Sequence, residues 1–120
     1  MSEFHVAIGT NLEHAFVGIM PPIDDASAQE IRDTINHMWD PPVTVVEARI
    51  QQTASGEDCT ILDFTKDTLP PQSSLTEGTL RGVAMFIRNY LERQEHTVVV
   101  DLIPKVISDE RQLFEADTQS

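Results

Sequence analysis

The chain has 120 residues, of which 20 are acidic and 8 are basic, so its formal net charge at pH 7 is −12. This length is typical of one domain with its own core, and an apolar content of 40% excludes intrinsic disorder. The excess of carboxylates disfavours direct binding to nucleic acid or to an anionic membrane surface, because both need clustered basic side chains.

The charge predicts a basic or neutral protein as the partner. Its other interpretation is an adaptation to a salt-rich solvent, or a codon bias. The lone cysteine, Cys59, excludes an intramolecular disulfide and a multi-cysteine metal site. The N-terminal residues lack the pattern of a signal peptide, and no apolar stretch approaches the length of about 18 residues that a membrane span needs. We therefore expect a cytoplasmic protein.

Two apolar segments, 4–8 and 14–20, open the chain, with Gly9 shortly after the first. Their composition is typical of β-strands. Two interpretations are open: a hairpin of two short strands, or one long bent strand with a bulge at Gly9.

A first helix is predicted after a pair of prolines. Ser27 and Glu30 have the spacing of a capping box, and Asp40, which precedes a second proline pair, marks the end of the helix. The apolar residues on its buried stripe are Ile31, Ile35, Met38 and Trp39.

A β-hairpin and a second helix follow. The segments 43–51 and 59–65 alternate and are rich in β-branched residues, with Gly56 in the loop between them. Ser74 and Glu77 form a second capping box. The apolar stripe of this helix comprises Leu80, Val83, Ala84, Ile87, Tyr90 and Leu91.

The last predicted strand is the β-branched segment 97–103, which ends at Pro104 or continues to Ile107. Beyond it, Leu113 and Phe114 are the apolar residues of an otherwise acidic and polar tail. They have the character of a short docking segment, or of a terminus that packs on its own sheet.

The order of elements is therefore strand or hairpin, helix, hairpin, helix, strand. This order predicts a ferredoxin-like split β-α-β sandwich of the α+β class, with two helices on one face of an antiparallel sheet. An extra N-terminal strand would lie at an edge of that sheet. We place a single domain at 1–107 and an acidic tail or short helix at 108–120.

No residue pattern predicts a catalytic, cofactor-binding or metal-binding site. The four histidines lack the spacing of metal ligands, and the glycines form no phosphate-binding loop. Adjacent carboxylates such as Asp24 and Asp25 are explained by a helix start. Cys59 is expected to be a core residue.

Two strand carboxylates, Asp63 and Asp101, are flanked by apolar residues, so each points to the face opposite its neighbours. Either that face is solvated, or the carboxylates meet a partner there. Glu47 and Arg49 share one face of the preceding strand and are expected to join them.

The lone tryptophan, Trp39, is either a core anchor or a binding hot spot with an acidic rim. The predicted partner-binding residues are Asp24, Asp25, Trp39, Asp40, Glu47, Asp63 and Asp101.

Three classes of function follow from this pattern. The favoured class is a non-enzymatic interaction protein that binds a basic macromolecule, as an inhibitor, an immunity-type protein, a nucleic-acid mimic or an assembly factor does. The alternative is a ligand-binding or structural subunit that self-associates through its sheet. The third is a small enzyme whose active site forms between subunits.

Overall fold

The structure, a computed structural model, describes residues 3–11, 14–38, 47–53, 56–65, 73–107 and 112–114. Its elements, in chain order, are β1 (Glu3–Thr10), β2 (His14–Met20), α1 (Asp25–Met38), β3 (Glu47–Gln52), β4 (Asp58–Thr65), α2 (Ser73–Glu92) and β5 (Thr97–Val106). The hairpin interpretation of the N-terminal segment is confirmed, because β1 and β2 are separate antiparallel strands. Trp39, Asp40 and the second helix's capping side chains lie outside what the structure describes.

The five strands form one mixed sheet in the order β3-β4-β2-β1-β5. The prediction of an antiparallel sheet is wrong for one pair of strands, because β1 and β5 run parallel. The predicted edge position of the N-terminal strand is also wrong, because β1 lies between β2 and β5. The physical reason is burial: Val6, Ala7 and Ile8 are all buried, so β1 is covered on both faces, as an inner strand is.

The main core lies between the helices and one face of the sheet, which we call the helix face. Alternate residues of β1, β2 and β4 meet apolar residues of both helices there. Its fully buried members include Ile8, Val17, Ile19, Ile31, Ile35, Leu62, Phe64, Leu80, Ile87 and Leu91. The helical stripes predicted from the sequence therefore supply much of this core.

The opposite face of the sheet, which we call the outer face, carries a second and smaller core. The C-terminal residues 112–114 return to it, and Leu113 is completely buried there. The other buried members are Ala7, Phe16, Cys59, Ile61 and Ile107. Cys59 is thus a core residue, as predicted, and Leu113 and Phe114 pack on the sheet of their own chain.

Two glycines of the sheet make room for Leu113. A Cβ atom built on Gly9 would lie 2.8 Å from Leu113 Cδ1, and one built on Gly18 would lie 2.5 Å from Leu113 Cδ2. Both distances are shorter than side-chain carbons tolerate. The absence of a side chain at these positions therefore lets the C-terminal turn sit directly on the sheet.

Candidate functional site

The structure separates the residues predicted to bind a partner. Asp24 and Asp25 lie at the start of α1, Glu47 and Asp63 are cross-strand neighbours on β3 and β4, and Asp101 lies on β5. Since β3 and β5 are the two edges of the sheet, four strand spacings, or about 19 Å, separate Glu47 from Asp101. Of the described candidates, only Glu47 and Asp63 form a joint site.

Asp24 caps the first helix. Its backbone oxygen accepts the bond from Ala28, and its side chain accepts one from the backbone N–H of Ser27 at 3.3 Å. The interaction with Ser27 lowers the pKa of the Asp24 carboxyl. The predicted capping box is wrong in its position, because α1 starts at Asp25 and Ser27 already lies in its first turn.

Asp63 is the centre of an ion-pair network on the outer face. Its Oδ1 lies 2.8 Å from His14 Nδ1, and its Oδ2 accepts from Arg49 Nη1 at 3.2 Å. Arg49 Nη1 also contacts Glu47 Oε2 at 3.1 Å. The Asp63 side chain is only 12% exposed. The network joins β2, β3 and β4, and within the described residues the Asp63 carboxylate is met by His14 and Arg49 of its own chain.

His14 is the member of this network that the sequence did not reveal. It lies 49 residues from Asp63, and only the antiparallel pairing of β2 with β4 brings the two together. The ring of His14 stacks on Phe16, with centroids 5.9 Å apart. A histidine oriented by a carboxylate is a common acid/base arrangement. The described grooves do not include His14, however, because helix residues line them.

A groove on the helix side, of about 520 Å³, is lined by Glu30, Thr34, Phe86, Tyr90, Arg93 and Gln94. Tyr90 crosses from α2 and donates a hydrogen bond to Glu30 Oε1 of α1 at 2.8 Å. Burial, followed by this bond to a carboxylate, raises the pKa of Tyr90. Within the described ranges, no cluster of His, Cys, Asp or Glu suited to a metal ion occurs, here or elsewhere.

The most exposed apolar surface lies along β5. Val106 is 91% exposed, Ile103 75%, Val99 49% and Leu102 36%. We call these four residues the apolar edge, because β5 ends the sheet on this side. On β3, at the other end of the sheet, Ile50 is the exposed large apolar residue. Packing among the described residues does not account for the exposure of the apolar edge.

A bulge in β5 produces part of this exposure. While β1 advances two residues, from Ala7 to Gly9, β5 advances four, from Asp101 to Lys105. The two extra residues lie in the segment 102–104, which we call the β5 bulge. Because β1 has no residues opposite these two, β5 bends outward there. In the sequence, Pro104 is the residue that indicates a bulge at this position.

The bulge is held by side chains on both sides. Asp101 Oδ1 accepts a hydrogen bond from the backbone N–H of Ile103 at 3.1 Å, and Arg81 Nε of α2 donates to the Leu102 carbonyl at 3.2 Å. Pro104 has no N–H to offer. Part of the hydrogen-bonding capacity of the bulge backbone is therefore used by Asp101 and Arg81. These bonds support the loop that carries Leu102 and Ile103.

The charges at the bulge differ from those of the whole chain. Arg81 donates to the bulge backbone at Leu102, the residue after Asp101, and Lys105 Nζ donates to the carbonyl of Leu113 at 2.9 Å. Arg81, Asp101 and Lys105 together carry one more positive than negative charge, although the chain carries −12. The apolar edge thus has a mixed-charge border on an acidic molecule.

No protein-family model, curated protein or solved structure matches this chain. What is established is the class of fold, which is α+β with a five-stranded mixed sheet and two helices. Neither described helix combines the length and the apolarity needed to cross a bilayer.

Proposed function

We propose that the protein is a non-enzymatic interaction module that binds another protein chain through the apolar edge of β5. The observation that carries this proposal is the exposure of four large apolar side chains on one strand, with two of them on a supported bulge. Exposed large apolar residues with a polar border are typical of protein-binding surfaces.

The charge of the chain defines one class of partner. A net charge of −12 accelerates association with a basic macromolecule and weakens association with an acidic one. An inhibitor, an immunity-type protein, a nucleic-acid mimic or an assembly factor uses its surface in this way. Among the described carboxylates, Glu47 and Asp101 are too far apart to form one contact patch, so their proposed role is long-range steering.

The alternative is a self-associating subunit, and its support is the mixed charge at the β5 bulge. We further propose a ferredoxin-like arrangement with β1 inserted. Its support is that α1 connects β2 to β3 across β4, while α2 connects β4 to β5. The enzyme hypothesis has the His14–Asp63 pair as its support, and that pair lines neither described groove.

Affinity capture at low salt with three baits tests the proposal: the native chain, Ile103→Glu and Ile50→Glu. The Ile50→Glu bait is the matched control, because Ile50 is 51% exposed on the opposite edge strand. We expect a stoichiometric partner on the native and Ile50→Glu baits and its loss from Ile103→Glu. Equal capture by all three baits would reject the apolar edge as the binding surface.

A further inference from the structure

We infer that the apolar edge binds a second copy of this chain, across a twofold axis that passes near Ile103. This inference rests on the proposed interaction through β5 and develops its self-associating alternative, with a second copy in place of a basic macromolecule. In such a contact each β5 bulge faces the other in antiparallel orientation, and the two Ile103 side chains meet at the centre.

The first support is the position of the charges around Ile103. Asp101 precedes Ile103 by two residues, and Lys105 follows it by two. In an antiparallel contact centred on Ile103, Asp101 of each copy therefore lies opposite Lys105 of the other. A carboxylate accepts at two oxygens and an ammonium donates three hydrogens, so both residues have capacity beyond their bonds to Ile103 and Leu113. The border of the surface is thus self-complementary.

The second support is the contrast between local and overall charge. Two chains of −12 repel each other, and a contact between them forms best where that charge is locally absent. Among the described residues of the bulge, Arg81 and Lys105 supply two positive charges against the one negative charge of Asp101.

The structure also restricts the form of the contact. Asp101 already binds the N–H of Ile103, Arg81 binds the carbonyl of Leu102, and Pro104 has no N–H. A continuous sheet through the bulges would need these backbone groups. The contact is therefore made by side chains, with Leu102 and Ile103 of both copies in its centre and the Asp101–Lys105 pairs at its border.

Sedimentation velocity of the full chain over roughly a hundredfold range of concentration gives the first test. We expect a monomer–dimer equilibrium that strengthens as salt rises, because screening removes the repulsion between two acidic chains. Binding to a basic partner would show the opposite dependence on salt. Ile103→Glu should weaken dimerisation by about tenfold or more, whereas Ile50→Glu should leave it unchanged.

The decisive test is a charge exchange between copies. Asp101→Lys and Lys105→Asp should each be monomeric alone, because each places like charges opposite one another at both ends of the contact. Mixed together, they should form a heterodimer, since every pair then has opposite signs. If a substitution acted only by disturbing the fold of its own chain, mixing would not restore the dimer. Circular dichroism of each variant checks that both are folded.

The outcomes distinguish this inference from the proposed function. A native chain that is monomeric at every concentration and salt, or a mixture of the two charge variants that stays monomeric, would overturn the homodimer. In that case the capture experiment still decides whether the apolar edge binds a different protein. A homodimer that persists in Ile103→Glu would overturn the contact centred on Ile103, and the capture experiment would again decide on the proposed function.

Discussion

The two faces of the sheet are covered by different means. On the helix face, two helices supply a broad apolar cover over the alternate residues of β1, β2 and β4. On the outer face, the described cover is a short C-terminal turn, with Leu113 at its centre and Phe114 beside it. Among the residues that the structure describes, the helix face therefore has a large core, whereas the outer face has a small one that is closed by the segment 112–114.

This difference explains where polar and exposed groups are tolerated. The outer face carries the Asp63 network at one side and the exposed Val99 of β5 at the other. Both lie beyond the small core that Leu113 closes. A sheet face that is only partly covered keeps surface for other contacts, while its covered centre still contributes to folding.

Truncation of one buried residue on each face gives the largest expected difference. Ile87→Ala removes a completely buried side chain of α2 and should lower the free energy of unfolding by about 2–5 kcal/mol. Leu113→Ala also removes a completely buried side chain, but it should mainly release the C-terminal turn from the sheet. Chemical denaturation measures the first effect, and native-state hydrogen exchange separates local release from global unfolding.

Equal global destabilisation by the two variants, with uniform loss of protection across the sheet, would contradict this distinction. It would show that both faces belong to one cooperative core.

The glycine that seats Leu113 provides a sharper test with a matched control. In Gly18→Ala the new Cβ would lie 2.5 Å from Leu113 Cδ2 and 2.7 Å from Phe114 Cε2, so the turn must shift. We expect a loss of about 1–3 kcal/mol. Gly78→Ala is the control, because its Cβ has no neighbour within 4 Å and it lies in α2. Alanine there should stabilise the helix by about 0.5–1 kcal/mol.

Thermal unfolding of both variants measures the opposite signs. A gain in stability from Gly18→Ala would mean that the C-terminal turn does not rest on that glycine.

Much of the helix face was predictable from the sequence, because its signals are local. Ile31 and Ile35, like Leu80 and Ile87, repeat at helical spacing, and the structure buries all four. The place of β1 was not predictable in the same way. Its pairing with β5 joins residues more than 90 positions apart, such as Phe4 and Val98, and no local pattern reports such a pairing.

The candidate site was less predictable, for the same reason. The common face of Glu47, Arg49 and Asp63 followed from the alternation of strands, and the structure confirms it. The contact of His14 with Asp63 and the bulge of β5 depend on the register between distant strands. The exposure of Ile103 also depends on that register. The residues beside it in the sequence predict a buried strand.

A substitution in the Asp63 network, at the margin of the outer face, should have a smaller effect on stability. Asp63→Asn keeps the shape of the side chain but removes the charge that Arg49 and His14 contact, and the side chain is 12% exposed. We expect a loss of about 1–2 kcal/mol. Glu47→Gln is the control, because its side chain is 57% exposed and surface ion pairs contribute about 0–1 kcal/mol. Urea denaturation of both variants compares a buried with an exposed partner of the same arginine, and equal losses would contradict the central role of Asp63.

The smallest expected effect is on the helix side, at the contact between the two helices. Burial and the bond to Glu30 raise the pKa of Tyr90 above its ordinary value of 10.0. A raised pKa in the folded state means that this contact contributes to stability below the pKa of the unfolded chain. The contribution is lost as pH rises through the folded value, because the tyrosinate repels Glu30. The chain has one tyrosine, so the ultraviolet absorbance of tyrosinate reports Tyr90 alone. We expect the titration of the folded chain to lie at higher pH than that of the chain in urea, and Glu30→Gln to reduce the difference. Coincident titrations of the folded and unfolded chains would show that Tyr90 does not connect the helices in solution.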